Sequence, residues 1–248
     1  MWPHATVVVP SLLLLLGGSA VSCSDPVAVT RGVGAIVQER RNLRPIDAIE
    51  VHGGIDLSIK VGPGIGDALS PTSSEPETLV WIDAPEDLIP LVVIETHGST
   101  LRIGPKDGAR LDPVPTIEVY TSRLVSVVAD GSGEVRLVMA APDGKLRPTL
   151  SLTSRGAVDF QAKGQVGEIV VEQSGAGDMH LGGLTASVAR ISSSGSGDVW
   201  ADASKRAQVS LKGSCELYLT GTATIEKQVV LGSGKIHRSA GPPADSPE

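Results

Sequence analysis

Apolar and polar residues alternate with a period of two over much of the chain. The stretch from Ile55 to Val61 carries apolar residues at every odd position and polar residues between them. Between residues 124 and 238 the alternation returns many times, each time beside glycines. Such alternation places successive side chains on opposite faces of a strand. The pattern predicts an all-β chain with no helix outside the N-terminal segment.

A short glycine-containing motif recurs six times in the second half of the chain. Its clearest copy is Gly195-Ser196-Gly197-Asp198-Val199, and two copies are degenerate. The third residues of the copies are 18 to 23 positions apart: Gly133, Gly156, Gly177, Gly197, Cys215 and Gly234. Glycine tolerates the positive φ values and close backbone contacts that a tight corner requires. The glycines predicted to form these turns are Gly131, Gly133, Gly156, Gly175, Gly177, Gly195, Gly197, Gly213, Gly232 and Gly234.

Aligning the six copies on their third residues produces columns of like residues. The residues two positions downstream are all apolar: Val135, Val158, Met179, Val199, Leu217 and Ile236. Five of the six residues located six positions upstream are also apolar. Each copy therefore predicts a strand, a glycine turn and a second strand, stacked about 4.8 Å from the next copy. The sequence thus predicts a parallel β-solenoid with coils of about 20 residues.

The composition agrees with thin, closely stacked layers. The chain has 29 Gly but only 3 Trp, 2 Tyr and 1 Phe among its 248 residues, so Val, Ile and Leu must fill the core. Its formal net charge is −7, and no stripe of Lys and Arg is visible. Because phosphate binding needs clustered positive charge, a nucleic-acid partner is not expected.

The N-terminal segment has the features of an export signal. An apolar run from Val7 to Leu16 is followed by small residues that end at Cys23. This run is too short for a membrane span and predicts a signal peptide over residues 1–23. Ala20-Val21-Ser22-Cys23 resembles the lipobox of bacterial lipoproteins, which implies a lipid anchor on Cys23 at the outer membrane or a periplasmic face. Plain secretion with an incidental cysteine is the alternative.

The rest of the chain is predicted to form one domain. Residues 24–30 would be a short linker, residues 31–238 the β-solenoid domain and residues 239–248 a disordered, proline-rich tail. Cys215 is the only cysteine besides Cys23. Its place in the repeat predicts a small buried thiol and not a nucleophile.

Several short segments carry a family resemblance. They are the opening Gly32-Val33-Gly34, the strand entry Ile49-Glu50-Val51-His52-Gly53, the strand Leu101-Arg102-Ile103 and the serial Gly-x-Gly-acid-Val turns. With these features the chain resembles the bacterial head GIN domain family of auto-transporter adhesins from Arg31 to Arg238. The resemblance implies a right-handed parallel β-helix, a cell-envelope location and an adhesive role. It implies no catalytic residues.

The sequence lacks the motifs of several common catalytic sites. Its five histidines form no His-x-x-x-His pair, and no Cys/His cluster has zinc spacing. It contains no Gly-x-Ser-x-Gly elbow, and its Gly-x-Gly turns lack the following helix of a dinucleotide site. We therefore expect neither an enzyme nor a bound metal or cofactor. The alternatives are a polysaccharide-cleaving enzyme on the same scaffold and a structural envelope module.

Acidic residues follow most of the glycine turns. The column comprises Glu134, Asp178, Asp198 and Glu216, with Ala157 and Lys235 completing it. Stacked carboxylates could take part in catalysis or bind calcium. Their repetition favours a role in the turn, either accepting backbone N–H bonds or facing solvent.

An outward column of aromatic residues is the candidate ligand face. It comprises His180, Trp200, Tyr218 and His237, preceded by Arg136 and Asp159. Aromatic rings beside polar groups suit a glycan or protein ligand, whereas ordinary stacking on the strand surface is the alternative. The sequence thus predicts a non-catalytic envelope protein for adhesion or polymer binding and leaves the oligomeric state open.

Overall fold

The computed structural model describes residues 29–62, 78–140 and 147–239. These residues form sixteen β-strands and two single-turn 3₁₀ helices (Ile89–Leu91 and Lys106–Gly108), with no α-helix among them. The strands are β1 (Val29–Arg31), β2 (Ile36–Leu43), β3 (Ala48–Gly54), β4 (Asp56–Val61), β5 (Thr78–Pro85), β6 (Val92–His97), β7 (Thr100–Pro105), β8 (Arg110–Asp112), β9 (Thr116–Thr121), β10 (Ser126–Met139), β11 (Arg147–Gly175), β12 (Met179–Gly195), β13 (Val199–Gly213), β14 (Leu217–Thr220), β15 (Thr224–Gly232) and β16 (Ile236–Ser239). The predicted all-β fold is confirmed.

The described residues do not cover every predicted segment. The signal peptide, Cys23 and all but Ser239 of the predicted tail lie outside them. Strand β1 includes Val29 and Thr30, two residues of the predicted linker. Among the described residues, no helical segment has the length and apolarity needed to cross a bilayer.

One large sheet of mainly parallel strands dominates the architecture. Its path runs β16-β14-β13-β12-β11-β10-β4-β9-β5-β2, and β3, β6, β7 and β15 join it at the side. The strand pairs from β10 to β16 are all parallel, whereas β2–β5, β5–β9 and β6–β7 are antiparallel. Strands β1 and β8 form a separate parallel pair. The second half of the chain is therefore uniform, and the first half is mixed.

Successive glycine turns lie directly on one another. Register pairs join Gly131 to Gly156, Gly175 to Gly195, and Gly195 to Gly213, which in turn pairs with Gly232. At Gly195 the backbone φ is +139°, and an added Cβ would lie 2.1 Å from the carbonyl oxygen of Gly175. Such contact between adjacent backbones is open only to a residue without a side chain. Glycine therefore sets both the corner and the spacing of the stacked strands.

The predicted alignment of one copy is wrong. Gly156 pairs with Gly131, not with Gly133, whose partner is Val158. The error equals two residues, and a shift of two keeps every side chain on the same face of the strand. Hydrophobic alternation therefore cannot detect it. The correct register stacks Phe160, and not Val158, on Val135.

The core consists of thin apolar layers contributed by successive strands. One buried column contains Val135, Phe160, Met179, Val199 and Leu217. Cys215 is also fully buried, which confirms the prediction of an interior thiol. In the final strands Gln228 and Arg238 occupy inward positions but are exposed, because no further strand among the described residues covers them.

Candidate functional site

The four predicted aromatic residues occupy equivalent positions on four strands. His180, Trp200, Tyr218 and His237 are the second residues of β12, β13, β14 and β16. Each directly pairs with the next in parallel register. The first three follow Met179, Val199 and Leu217 of the buried column, and His237 follows the partly buried Ile236. The alternation of the strand therefore directs all four rings outward.

The rings of this aromatic column stack face to face. The centroid distances are 4.4 Å from His180 to Trp200, 5.2 Å from Trp200 to Tyr218 and 4.7 Å from Tyr218 to His237. The angles between the planes are 19°, 6° and 12° in the same order. These distances lie within the range of favourable aromatic pairs.

Mutual stacking determines what the column can offer a ligand. Each inner ring has both faces against a neighbour, so Trp200 and Tyr218 present their edges to solvent. Sugar rings stack on aromatic faces, and those faces are already covered here. The sequence leaves two interpretations of the column open, a ligand-binding face and ordinary stacking of rings on the strand surface. The geometry favours the second.

The two residues before His180 in this column differ in part from the prediction. Arg136 pairs with Gln161, and Gln161 pairs with His180. Asp159, predicted for this column, pairs instead with Glu134. The same two-residue shift that misplaces Gly156 causes this error. In space the column therefore consists of Arg136, Gln161, His180, Trp200, Tyr218 and His237.

Glu216 ties the end of the aromatic column together. Its Oε2 accepts a hydrogen bond from the Tyr218 hydroxyl at 2.8 Å and lies 3.0 Å from Nε2 of His237. Hydrogen bonding lowers the pKa of the Glu216 carboxyl below its usual value; the bond from Tyr218 has the largest effect and the bond from His237 the second largest. The same carboxylate raises the pKa of the Tyr218 hydroxyl. Both effects arise because the hydrogen bonds stabilise the ionised carboxylate.

The acidic column forms a ladder of side chain to backbone hydrogen bonds. Oδ1 of Asp159, Asp178 and Asp198 each accepts the backbone N–H of the acidic residue on the next strand, at 2.8 Å in every case. The donors are the backbone N–H groups of Asp178, Asp198 and Glu216. These carboxylates satisfy amides at the turn, one of the two roles expected from their repetition. Ala157 is not in the column; it pairs with Ser132, and Asp159 takes the place predicted for it.

One hydrogen bond of the same kind was not predicted from the sequence. Oδ1 of Asp56 on β4 accepts the backbone N–H of Glu134 at 3.0 Å. The segment Gly53-Gly54-Ile55-Asp56-Leu57 places an acid and an apolar residue after a glycine turn, as the later copies do. Searching for the motif with only its first glycine required would have found it.

The geometry gives the ladder carboxylates a structural task. Among the described residues, no group of three or more His, Cys, Asp or Glu side chains is placed to hold a metal ion. Asp178 and Asp198, the strongest candidates for paired-carboxylate catalysis, each hold an amide of the adjacent strand. That bond fixes both side chains along the sheet.

The ten predicted turn glycines fall into two groups. Seven have φ between +89° and +142°: Gly131, Gly133, Gly156, Gly175, Gly195, Gly213 and Gly232. The other three do not have a φ in this range: Gly177, Gly197 and Gly234. Glycine is required there because a side chain would clash with the backbone of the neighbouring strand. At Gly197 an added Cβ would lie 2.0 Å from the Gly177 carbonyl oxygen.

Comparison with solved structures finds similar proteins at low sequence identity. A "putative adhesin" from Bacteroides fragilis NCTC 9343 has a TM-score of 0.55 and 15% identity, covering 85% of this chain and 100% of its own. A "putative lipid binding protein" from Parabacteroides distasonis ATCC 8503 has a TM-score of 0.48 and 20% identity, covering 85% and 99%. The Bacteroides structure supports a shared fold and says nothing about a ligand.

Family membership rests on the sequence of most of the domain. No curated protein sequence matches the chain. A family model matches residues 47–223, a span that contains the glycine turns up to Gly213 and three of the four aromatic residues. The chain belongs to the family described as "Putative auto-transporter adhesin, head GIN domain".

Proposed function

We propose that this chain is a non-catalytic, exported surface module that holds an extended polymer along its stacked strands. Its family supports an adhesive role at the cell surface. The scaffold that we propose is a right-handed parallel β-solenoid. Its support is the parallel register of β10 to β16, in which a residue's partner on the next strand lies 17 to 25 positions further along the chain.

The observation that carries this proposal is the exact register of the aromatic column. Four equivalent outward residues, His180, Trp200, Tyr218 and His237, follow one another on paired strands. Paired strands lie about 4.8 Å apart, so each outer surface repeats at that interval. A surface that repeats along one axis is complementary to a ligand that also repeats. An extended polymer has that property, and a compact metabolite does not.

The aromatic column is one candidate face for this ligand. Its ring edges lie in a row beside the carboxylates of the acidic ladder, and His237 is at the end of the column with Tyr218 against one face. The column would contact the polymer through ring edges and through this end ring. Changing Trp200→Ala together with Tyr218→Ala tests the assignment, because loss of binding with an intact fold would support it and unchanged binding would exclude the column.

Attachment to a membrane through Cys23 is part of the proposal. The sequence Ala20-Val21-Ser22-Cys23 supports it, and these residues lie outside the described ones. Metabolic labelling with a radioactive fatty acid, comparing the natural chain with Cys23→Ser, tests the anchor. Label in the first and none in the second is expected. Equal labelling of both would place the lipid elsewhere, and no label in either would leave plain secretion.

A glycan array followed by product analysis separates binding from catalysis. The chain is expected to retain one class of polymer without releasing shorter products. Product release that is lost in Asp178→Asn or Asp198→Asn would contradict the proposal and support the polysaccharide-active alternative. The hydrogen bonds that these carboxylates accept from backbone amides support the non-catalytic version.

A further inference from the structure

A shallow trough crosses the strand segments that precede the glycine turns, whereas the aromatic column lies on the segments that follow them. Two outward columns flank it in register on β11, β12, β13 and β15. The first column is Val170, Arg190, Gln208 and Lys227, and the second is Glu172, Ser192, Ser210 and Val229. The depression between the columns has a volume of about 290 Å³.

A second depression of about 190 Å³ adjoins the first and shares Glu172 and Ser192 with it. Its far side is formed by the next outward column, which contains Arg155 and Ser194. Lys212 pairs with Ser194 and continues that column. Because serine side chains are short, the shared middle column is lower than the arginines and lysines on either side. The result is one wide trough with a floor that bears hydroxyl groups.

Basic side chains rim this trough although the whole chain is acidic. Arg155, Arg190, Lys212 and Lys227 are all exposed beside it. Arg190 is held in place by an ion pair with Glu168 and by a hydrogen bond from Nη1 to Oε1 of Gln208 at 3.2 Å. A guanidinium that is already positioned loses little side-chain freedom when it binds an anion. The formal charge of the chain is −7, so this rim is a local reversal of sign.

We propose that the trough binds an acidic polysaccharide, whose carboxylates meet Arg190 and Lys227 and whose hydroxyls meet Ser192 and Ser210. This inference rests on the proposed function and names the chemical class of the polymer. Arg190 and Lys227 are two strands apart, roughly 10 Å along the stack. A carboxylate on alternate sugars of an extended chain recurs at a comparable interval. Arginine and lysine bind such carboxylates through charge-assisted hydrogen bonds.

Glu172 distinguishes this ligand from other polyanions. Its exposed carboxylate lies between the two depressions and can only accept hydrogen bonds when ionised. A chain with a negative charge on every unit, such as polyphosphate or polyglutamate, would be repelled there. A sugar offers hydroxyl donors to the same oxygen atoms. The mixed lining of acid, hydroxyl and base therefore fits a polymer that carries both hydroxyls and spaced carboxylates.

Calorimetric titration with defined oligosaccharides tests the assignment. The probe is hyaluronan octasaccharide, compared with its methyl ester, and the protein is the full chain with Cys23→Ser. We expect the acid to bind, and its ester to bind at least ten-fold more weakly. Arg190→Gln with Lys227→Gln should weaken binding of the acid at least ten-fold. Ser192→Tyr, which fills the floor without changing charge, should weaken it as strongly.

A matched control removes two positive charges elsewhere. Lys106→Gln with Arg110→Gln changes two exposed residues outside the trough and should leave binding unchanged. The inference would be overturned if the acid and its ester bound equally, or if polyglutamate bound as tightly as the acidic oligosaccharide. Full binding by the variant with Arg190→Gln and Lys227→Gln would also overturn it. If a glycan array still shows that a neutral polymer binds, the proposed function survives without the inference about an acidic polysaccharide. If no polymer of any class is retained, both fail.

Discussion

Trp200 and Tyr218 lie on neighbouring parallel strands with their ring planes 6° apart and their centroids 5.2 Å apart. Direct cross-strand neighbours stabilise a sheet through their side chains, as i and i+4 neighbours do in a helix. Here the pair is extended by a ring on either side. The column thus connects β12, β13, β14 and β16 on the outside. On the inside the buried column connects the first three of these strands, and Ile236 of β16 packs against the core.

A double-mutant cycle on this pair should reveal favourable coupling. Trp200→Ala and Tyr218→Ala each remove a half-buried ring, and the double variant should be less destabilised than the sum of the two by about 0.5–1.5 kcal/mol. Urea unfolding followed by circular dichroism measures the free energies. Trp200→Ala combined with Trp81→Ala serves as control, since Trp81 stacks with Arg40 on another part of the sheet and the effects should add. Coupling near zero between the first pair would show that the rings are neighbours without mutual stabilisation.

Asp198 should contribute to stability as a hydrogen-bond acceptor and not as a charge. Asp198→Ala leaves the backbone N–H of Glu216 without its partner at 2.8 Å, and a loss of about 1 kcal/mol is expected. Asp198→Asn retains a side-chain oxygen and should lose clearly less. Asp130→Ala, which changes an exposed acid on β10, is the control and should have almost no effect. Equal losses for the alanine and asparagine variants would mean that the ladder acts through charge.

Acid should weaken the end of the stack through Glu216. Since folding lowers the pKa of this carboxyl, its contribution to stability is present above the pKa of the unfolded chain and is lost as pH falls through the folded value. Tyr218→Phe removes the hydroxyl hydrogen bond that lowers this pKa most, so the pKa of Glu216 should rise toward its ordinary value. Carbon NMR of the carboxyl group during a pH titration measures the change. Tyr120→Phe removes a similar hydroxyl bond, to Glu118, and should leave Glu216 as it was.

Sequence periodicity predicted the uniform half of the fold well because each copy repeats both its glycines and its core residues. His180, Trp200, Tyr218 and His237 were aligned correctly, since their copies contain regular spacing on both sides. The stacking of their rings depends on side-chain rotamers, which alternation does not determine. The aromatic column therefore could be located from the sequence, but not the covering of its ring faces.

The first half was less predictable because a strand pattern does not specify its partner. Alternation identified the strand that begins at Asp56, yet the antiparallel pairing of β5 with both β2 and β9 has no signal in the pattern. The trough was missed for a related reason. Arg190 and Lys227 are far apart in sequence and come together only through the register of β12, β13 and β15.

The register at Gly156 can be tested by engineered cross-links. Arg136 and Gln161 are direct partners on β10 and β11, where Cα atoms lie about 4.8 Å apart, within the range that a disulfide spans. Asp159 is two residues away from that position, which places its Cα about 8 Å from Arg136 and beyond that range. With Cys23→Ser and Cys215→Ala in the background, Arg136→Cys with Gln161→Cys should therefore oxidise fully under mild conditions. Arg136→Cys with Asp159→Cys should stay reduced, and gel mobility without reductant distinguishes the two. Preferential cross-linking of the second pair would restore the alignment of Gly156 with Gly133 and would return Asp159 to the column that ends at His237.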